Sequence, residues 1–145
     1  MPAIDIQTQA VSQSRLWAGA IIGGLTVAFF IFDGFTKVIK TGFSVEGSQQ
    51  LGYPVETVPT IGLILLFCTA VYVIPQTRVL GAILLTGYLG GTVASHLRAG
   101  NGAFPIVFSL IFGVLVWAAA VLREPRLLSL VLLNQWPDSQ IGGHE

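Results

Sequence analysis

The sequence predicts an all-α, polytopic membrane protein: an antiparallel bundle of four transmembrane helices with a long first connection and an interfacial C-terminal tail. Of the 145 residues, 53% are hydrophobic and 10% are charged, whereas soluble domains average about 25% charged residues. A chain this short has too little interior to bury so much apolar surface, so the excess must face lipid. The apolar residues also fall into four long segments, 16–32, 59–74, 79–95 and 103–122.

Each segment approaches the length of a membrane span once its flanks are added. A spanning helix needs about 20 residues, with about 17 as the lower limit. Residues 35–39 can lengthen the first helix and residues 55–58 the second. A soluble helical bundle is disfavoured because the segments lack a polar face. Residues 1–14 do not resemble a signal peptide because no basic residue precedes Arg15, so we expect the first helix to be retained.

The segments and their connections divide the chain into three regions. We expect a polar N-terminal segment at 1–14, a membrane domain at 15–126, and an amphipathic and then disordered tail at 127–145. The turns at 75–78 and 96–102 are short, which favours antiparallel neighbours. The first connection, 41–56, mixes glycines and Pro54 with apolar residues. We expect a short re-entrant or interfacial element there.

Four crossings place alternate connections on the same side of the membrane. The first and third connections share one face, with the charged or titratable residues Asp33, Lys37, Lys40, Glu46, Glu56, His96 and Arg98. The termini and the second turn share the other face, with Arg15, Arg78, Arg123 and Arg126. The basic residues number three at the first face and four at the second. The positive-inside rule therefore predicts that both termini are cytoplasmic.

A polar group is expected at the face of the first and third connections. Asp33 and Lys37 are four residues apart on the first helix, and His96 and Arg98 close the third helix at the same depth. Charges within membranes usually pair, so we expect an ion pair of Asp33 with Lys37 or Arg98. The alternatives are that Lys37 and Arg98 extend to the headgroups, that His96 bonds a loop carbonyl, and that Asp33 serves a ligand or a proton.

Several classes of function are disfavoured by the residues present. Cys68 is the single cysteine, so the chain cannot form an internal disulfide. One internal histidine beside one carboxylate is not a metal-ligand set, and there is no histidine pair for a haem. Ser95, His96 and Asp33 do not make a convincing triad, because adjacent helical residues point about 100° apart. No basic run suggests nucleic acid.

Three stretches together resemble the DoxX-like family. They are GFTK, which begins at Gly34; LGYP, which begins at Leu51; and GGTVASHLR, residues 90–98. The resemblance covers about residues 14–126. It implies a small bacterial inner-membrane protein of four helices, whose namesake relatives are subunits associated with thiosulfate:quinone oxidoreduction. The family pattern favours Gly34, Lys37, Gly52, Pro54 and His96 as the positions to carry over.

From the residues and the resemblance we expect an accessory or assembly subunit of a membrane complex. Its polar site would use Lys37, His96 and Tyr53 to bind a quinone or a lipid. We expect no intrinsic cofactor and no catalytic activity from the chain alone. Its partners would be the bilayer and either a protein or further copies of itself. The alternatives are a quinone-linked oxidoreductase subunit and an oligomeric transporter of small molecules or lipids. The expected structural positions are Gly34, Gly52, Pro54, Gly87, Gly90 and Gly91.

Overall fold

The computed structural model describes residues 12–124 and Leu127, and these residues are helical apart from short connections. The five α-helices are α1 (Gln13–Val38), α2 (Gly42–Gln50), α3 (Val58–Val73), α4 (Arg78–Ala99) and α5 (Ala103–Arg123). Short 3-10 turns, Val55–Thr57 and Pro75–Thr77, precede α3 and α4. The all-α prediction is therefore confirmed for this part of the chain. The predicted terminal regions lie outside it, except for residues 12–14 and Leu127, which is buried.

Four helical stretches are long and apolar enough to cross a membrane. They are Gln13–Val38, Val55–Val73, Pro75–Ala99 and Ala103–Arg123. Large apolar side chains point outward from the bundle: Leu25 is 70% exposed, Phe67 64% and Val114 68%. Such a surface would aggregate in water, whereas in a bilayer it meets acyl chains. The prediction of a polytopic bundle with four spans is confirmed.

The four spanning helices form a ring in chain order. Helix α1 packs against α3 and α5, and α4 packs against the same two helices. Successive helices run in opposite directions because the turns between α3 and α4 and between α4 and α5 are short. One end of the bundle therefore carries α2 and the α4–α5 turn, and we call it the α2 end. The other carries the α3–α4 turn and both ends of the chain, and we call it the terminal end.

The helices approach most closely where one of them carries a glycine. A Cβ on Gly62 of α3 would lie 2.6 Å from the carbonyl oxygen of Gly34 of α1, and one on Gly81 of α4 would overlap the backbone of Tyr72. Gly23 of α1 faces Ala119 of α5: a Cβ on Gly23 would lie 3.3 Å from the Cβ of Ala119. Small residues at such crossings let helix backbones touch in lipid.

The glycines of α4 that the sequence marks as packing positions do not pack. A Cβ on Gly87, Gly90 or Gly91 would meet no atom of the described chain within 4 Å. Gly90 and Gly91, which we expected as structural positions, therefore make no close helix contact among the described residues. The glycines that do allow close approach beside α3 are Gly34, Gly62 and Gly81.

We expect Gly62→Ala to destabilise the bundle by about 1–3 kcal/mol, because the new methyl group would overlap the Gly34 carbonyl and the Lys37 Cβ. Gly24→Ala is the matched control, since a Cβ there meets nothing within 4 Å. Thermal unfolding in a nonionic detergent measures both. Equal melting temperatures for the two variants would show that the α1–α3 crossing is not closely packed.

Candidate functional site

The chain leaves α1 through a turn that directs α2 across the end of the bundle. Lys40 adopts a left-handed conformation with φ 54°, and the Thr41 amide donates to the Thr36 carbonyl at 3.0 Å. The hydroxyls of Thr41 and Ser44 donate to the same carbonyl at 3.1 and 3.0 Å. These hydrogen bonds satisfy a carbonyl group in the last turn of α1 and fix the position at which α2 begins. The predicted interfacial element is thus a short helix.

A second left-handed residue ends α2. Gly52 has φ +82°, and the following Tyr53 amide donates to the Ser48 carbonyl at 3.1 Å. This helix-ending motif favours glycine because a side chain is strained at that φ. Pro54 follows in an extended conformation and leads into the turn before α3. The family positions Gly52 and Pro54 therefore shape the return of the chain into the bundle.

Two side-chain contacts hold this connection against α4. Arg98 donates from Nη2 to the Leu51 carbonyl at 2.9 Å, and the Tyr53 hydroxyl lies 2.7 Å from Ser95 Oγ. Ser95 Oγ already donates to the Gly91 carbonyl at 2.8 Å, so Tyr53 is the donor. Arg98 is consequently not in the ion pair that the sequence suggested. Its guanidinium group donates instead to a backbone carbonyl of the first connection.

Beneath α2 the bundle encloses a cavity of about 500 Å³, open on one side. All four spanning helices and α2 contribute to its wall. The sequence-predicted residues Asp33, Lys37, Tyr53 and His96 all line it, whereas Arg98 does not. Asp33 and Lys37 lie one and two turns beyond Phe29 on α1, so the cavity extends over about 12 Å along the helix.

The deeper part of the cavity is aromatic, and we call it the aromatic tier. Phe29 and Phe30 of α1 meet Phe108 and Phe112 of α5 there, with Tyr88 of α4 beside them. The ring centroids of Phe29 and Phe112 are 4.3 Å apart in a stacked arrangement, and those of Phe108 and Phe112 are 4.9 Å apart. These rings give the cavity a rigid apolar floor.

The part nearer α2 is polar, and we call it the polar tier. Lys37 Nζ and Asp33 Oδ1 are 2.5 Å apart, and their side chains are 17% and 29% exposed. His96 is half-buried, and its Nδ1 is 3.4 Å from Asn101 Nδ2 in the α4–α5 turn. The hydroxyls of Tyr53 and Ser95 complete the tier. Lys37 retains N–H donors beyond the one that Asp33 accepts.

The glycines of α4 form an open part of the cavity wall. Gly87 and Gly91 line it, and neither has a neighbour within 4 Å of its Cβ position. Gly90 faces a separate apolar groove between α4 and α5. Gly34 lies at the α1–α3 crossing rather than in the wall. Glycine in the wall therefore leaves open space instead of closing a helix contact.

Sequence reasoning missed the aromatic tier. The signal was present in the spacing: Phe29 precedes Asp33 and Lys37 at steps of four, and Phe108 precedes Phe112 by four. Each pair therefore shares a helix face. In an apolar span, however, every face carries large side chains, so spacing alone does not separate the cavity face from the lipid face.

Among residues 12–124, no group of three or more His, Cys, Asp or Glu is placed to hold a metal ion.

We expect Asp33→Asn to lower the free energy of unfolding by about 1–2 kcal/mol, between the values for exposed and buried ion pairs, because it leaves the Lys37 ammonium partly buried without a counter-charge. Lys37→Met added to Asp33→Asn should cost less than the sum of the two single changes. Unfolding in detergent of the four proteins of this double-mutant cycle measures the coupling. Additive effects would refute the ion pair.

Comparison with known proteins agrees with this architecture. The sequence model of the DoxX-like family matches residues 21–119, from the first turns of α1 to near the end of α5. The match includes the whole polar tier and the aromatic tier. No curated protein and no solved structure is detectably similar to the chain. Because the match covers more than half of the chain, this protein belongs to the DoxX-like family.

Proposed function

We propose that this protein is an accessory subunit of a membrane complex and that it binds an amphipathic molecule, a quinone or a lipid, in the cavity beneath α2. The observation that carries the proposal is the division of one cavity into an aromatic tier and a polar tier. A cavity of about 500 Å³ lies within the usual range for small-molecule sites, about 300–1,000 Å³.

The two tiers fit a molecule with a flat or apolar body and a polar end. Phe29 and Phe112 offer ring faces on which a planar ring can stack. Lys37 and His96 offer N–H groups to carbonyl or ester oxygens at the other end. Because Asp33 balances Lys37, a neutral ligand suits the site better than an anion. Quinones and neutral lipids share this combination of properties.

The second candidate is the membrane subunit of a quinone-linked oxidoreductase, of the kind that the DoxX-like resemblance implies. The aromatic rings of the deeper tier favour it, because they suit a planar ring better than an acyl chain. A quinone bound here would supply two-electron redox chemistry. This chain would bind and orient it beside Lys37 and His96, and a partner protein would carry the other redox centre.

Filling the cavity should weaken ligand binding without unfolding the protein. We expect Gly87→Leu to weaken the binding of a short-chain benzoquinone by about tenfold or more, which corresponds to about 1.4 kcal/mol. The new side chain would extend into the space in front of Gly87, and leucine favours helix more than glycine does. Equilibrium dialysis of the detergent-solubilised protein against the quinone measures the affinity.

Gly24→Leu is the matched control, because Gly24 also faces open space but lines no part of the cavity. It should bind the quinone as the unaltered protein does. His96→Ala and Lys37→Met test the polar tier in the same assay, and both should bind more weakly. Undiminished binding by Gly87→Leu would place the ligand elsewhere. Full binding by both polar-tier variants would show that those side chains do not contact it.

We also propose that the protein lies in the inner membrane with both termini in the cytoplasm, as the excess of basic residues at the terminal end favours. Single cysteines introduced as Glu46→Cys and Ser12→Cys report the orientation, since both positions are exposed and at opposite ends. A membrane-impermeant maleimide applied to spheroplasts should label Glu46→Cys and spare Ser12→Cys. Native Cys68 is buried and gives little background. The reverse labelling pattern would invert the topology.

A further inference from the structure

The terminal end contains two inward-facing arginines that the cavity does not use. Arg78 begins α4 and lies four residues before Ala82, which is fully buried in the core. Arg123 ends α5 and lies four residues after Ala119, which is fully buried against Gly23 of α1. Residues four apart share a helix face, so both arginine side chains project from the inner faces of their helices.

Arg123 lies along the glycine face of α1 instead of extending away from the bundle. A Cβ on Gly19 would be 3.1 Å from Arg123 Cγ, and one on Gly23 would be 3.6 Å from Arg123 Cζ and 3.7 Å from Nη1. The aliphatic stem therefore passes Gly19, and the guanidinium reaches the level of Gly23, one helical turn further into the bundle. Glycines at these two positions leave room for the side chain.

Arg78 has an unsatisfied donor. Its Nε has less than 1 Å² of accessible surface and no hydrogen-bond partner among the described residues. A buried N–H that is left unpaired is uncommon, and an absent ion is one of the explanations for it. Helices α4 and α5 pack against each other, and Arg78 and Arg123 lie on them at the same end of the bundle.

No acid of the described chain compensates these two cations. The salt bridge between Lys37 and Asp33 is at the α2 end, and neither arginine is within salt-bridge distance of a carboxylate in residues 12–124. Glu124 is exposed. The Tyr72 hydroxyl donates to the Val116 carbonyl at 2.8 Å, and because it is neutral it does not compensate a cation. Arginine does not lose its proton in proteins, so neutralisation requires an anion.

We propose that Arg78 and Arg123 form a binding site for a phosphate group, as carried by the headgroup of an anionic phospholipid. The planar fork of each guanidinium matches the oxygens of a phosphate and binds them through two parallel N–H bonds. Both residues are at helix ends, Arg78 at the first residue of α4 and Arg123 at the last residue of α5, where the bilayer places its headgroups. The site lies at the opposite end from the cavity and does not depend on the proposed function.

Thermal unfolding of the full chain in a nonionic detergent tests the site. Short-chain phosphatidylglycerol, diacylglycerol with the same acyl chains, and inorganic phosphate are added in separate titrations. We expect phosphatidylglycerol to raise Tm by about 4 °C or more and diacylglycerol to leave it unchanged, because a ligand that binds the folded state stabilises it. A response to phosphatidylglycerol alone identifies a lipid headgroup. An equal response to inorganic phosphate identifies a free phosphate at the same site.

The double variant Arg78→Gln with Arg123→Gln should lose the phosphatidylglycerol response, while Arg15→Gln should keep it, because Arg15 is exposed at the same end. The double change to lysine preserves both charges without the fork, and its response should be less than half of that of the unaltered protein. If the double glutamine variant does not fold, the double lysine variant tests the site in its place. Equal responses to phosphatidylglycerol and diacylglycerol would overturn the proposal. So would no response to either phosphate compound, or a full response in both double variants.

Discussion

The bilayer offers no hydrogen-bond partners to the inside of this bundle, and the rest of the structure follows from that constraint. Several hydroxyl groups within the spans donate to a carbonyl of their own helix or of a neighbouring helix. Thr26 donates to the Ile22 carbonyl, Thr69 to the Leu65 carbonyl and Tyr72 to the Val116 carbonyl. The charged side chains of the described residues are confined to the two ends of the bundle. The cavity occupies the α2 end, and the two arginines occupy the terminal end.

The cavity exists because the helices are closely packed at some levels and apart at others. Glycine contacts at Gly34, Gly62 and Gly81 bring α1, α3 and α4 together. Opposite these contacts, Gly87 and Gly91 leave part of the α4 wall without side chains, and the phenylalanines of α1 and α5 form the floor. Helix α2, held by Arg98 and Tyr53, lies over the polar tier. The same residue type thus closes one interface and opens another, according to the helix face on which it occurs.

Sequence reasoning predicts the spans and the chemistry of the polar tier better than it predicts the packing. Four uncharged segments determine the fold class, and the spacing of Asp33 and Lys37 leads directly to their contact. Arg98 escaped prediction because its partner, the Leu51 carbonyl, is a backbone atom in a loop. The role of Gly87 and the aromatic tier also escaped it, since hydrophobic periodicity carries little information when every face of a helix is apolar.

We propose that the cavity beneath α2 binds an amphipathic molecule while the protein is part of a membrane complex. The most direct measurement is mass spectrometry of the protein purified from its native membrane in a mild detergent, applied both to co-eluting proteins and to an organic extract of the same peak. We expect a quinone or a neutral lipid in about one-to-one ratio with the chain, together with a stoichiometric protein partner. A peak that contains the chain alone, with no retained amphiphile and no partner, would contradict it.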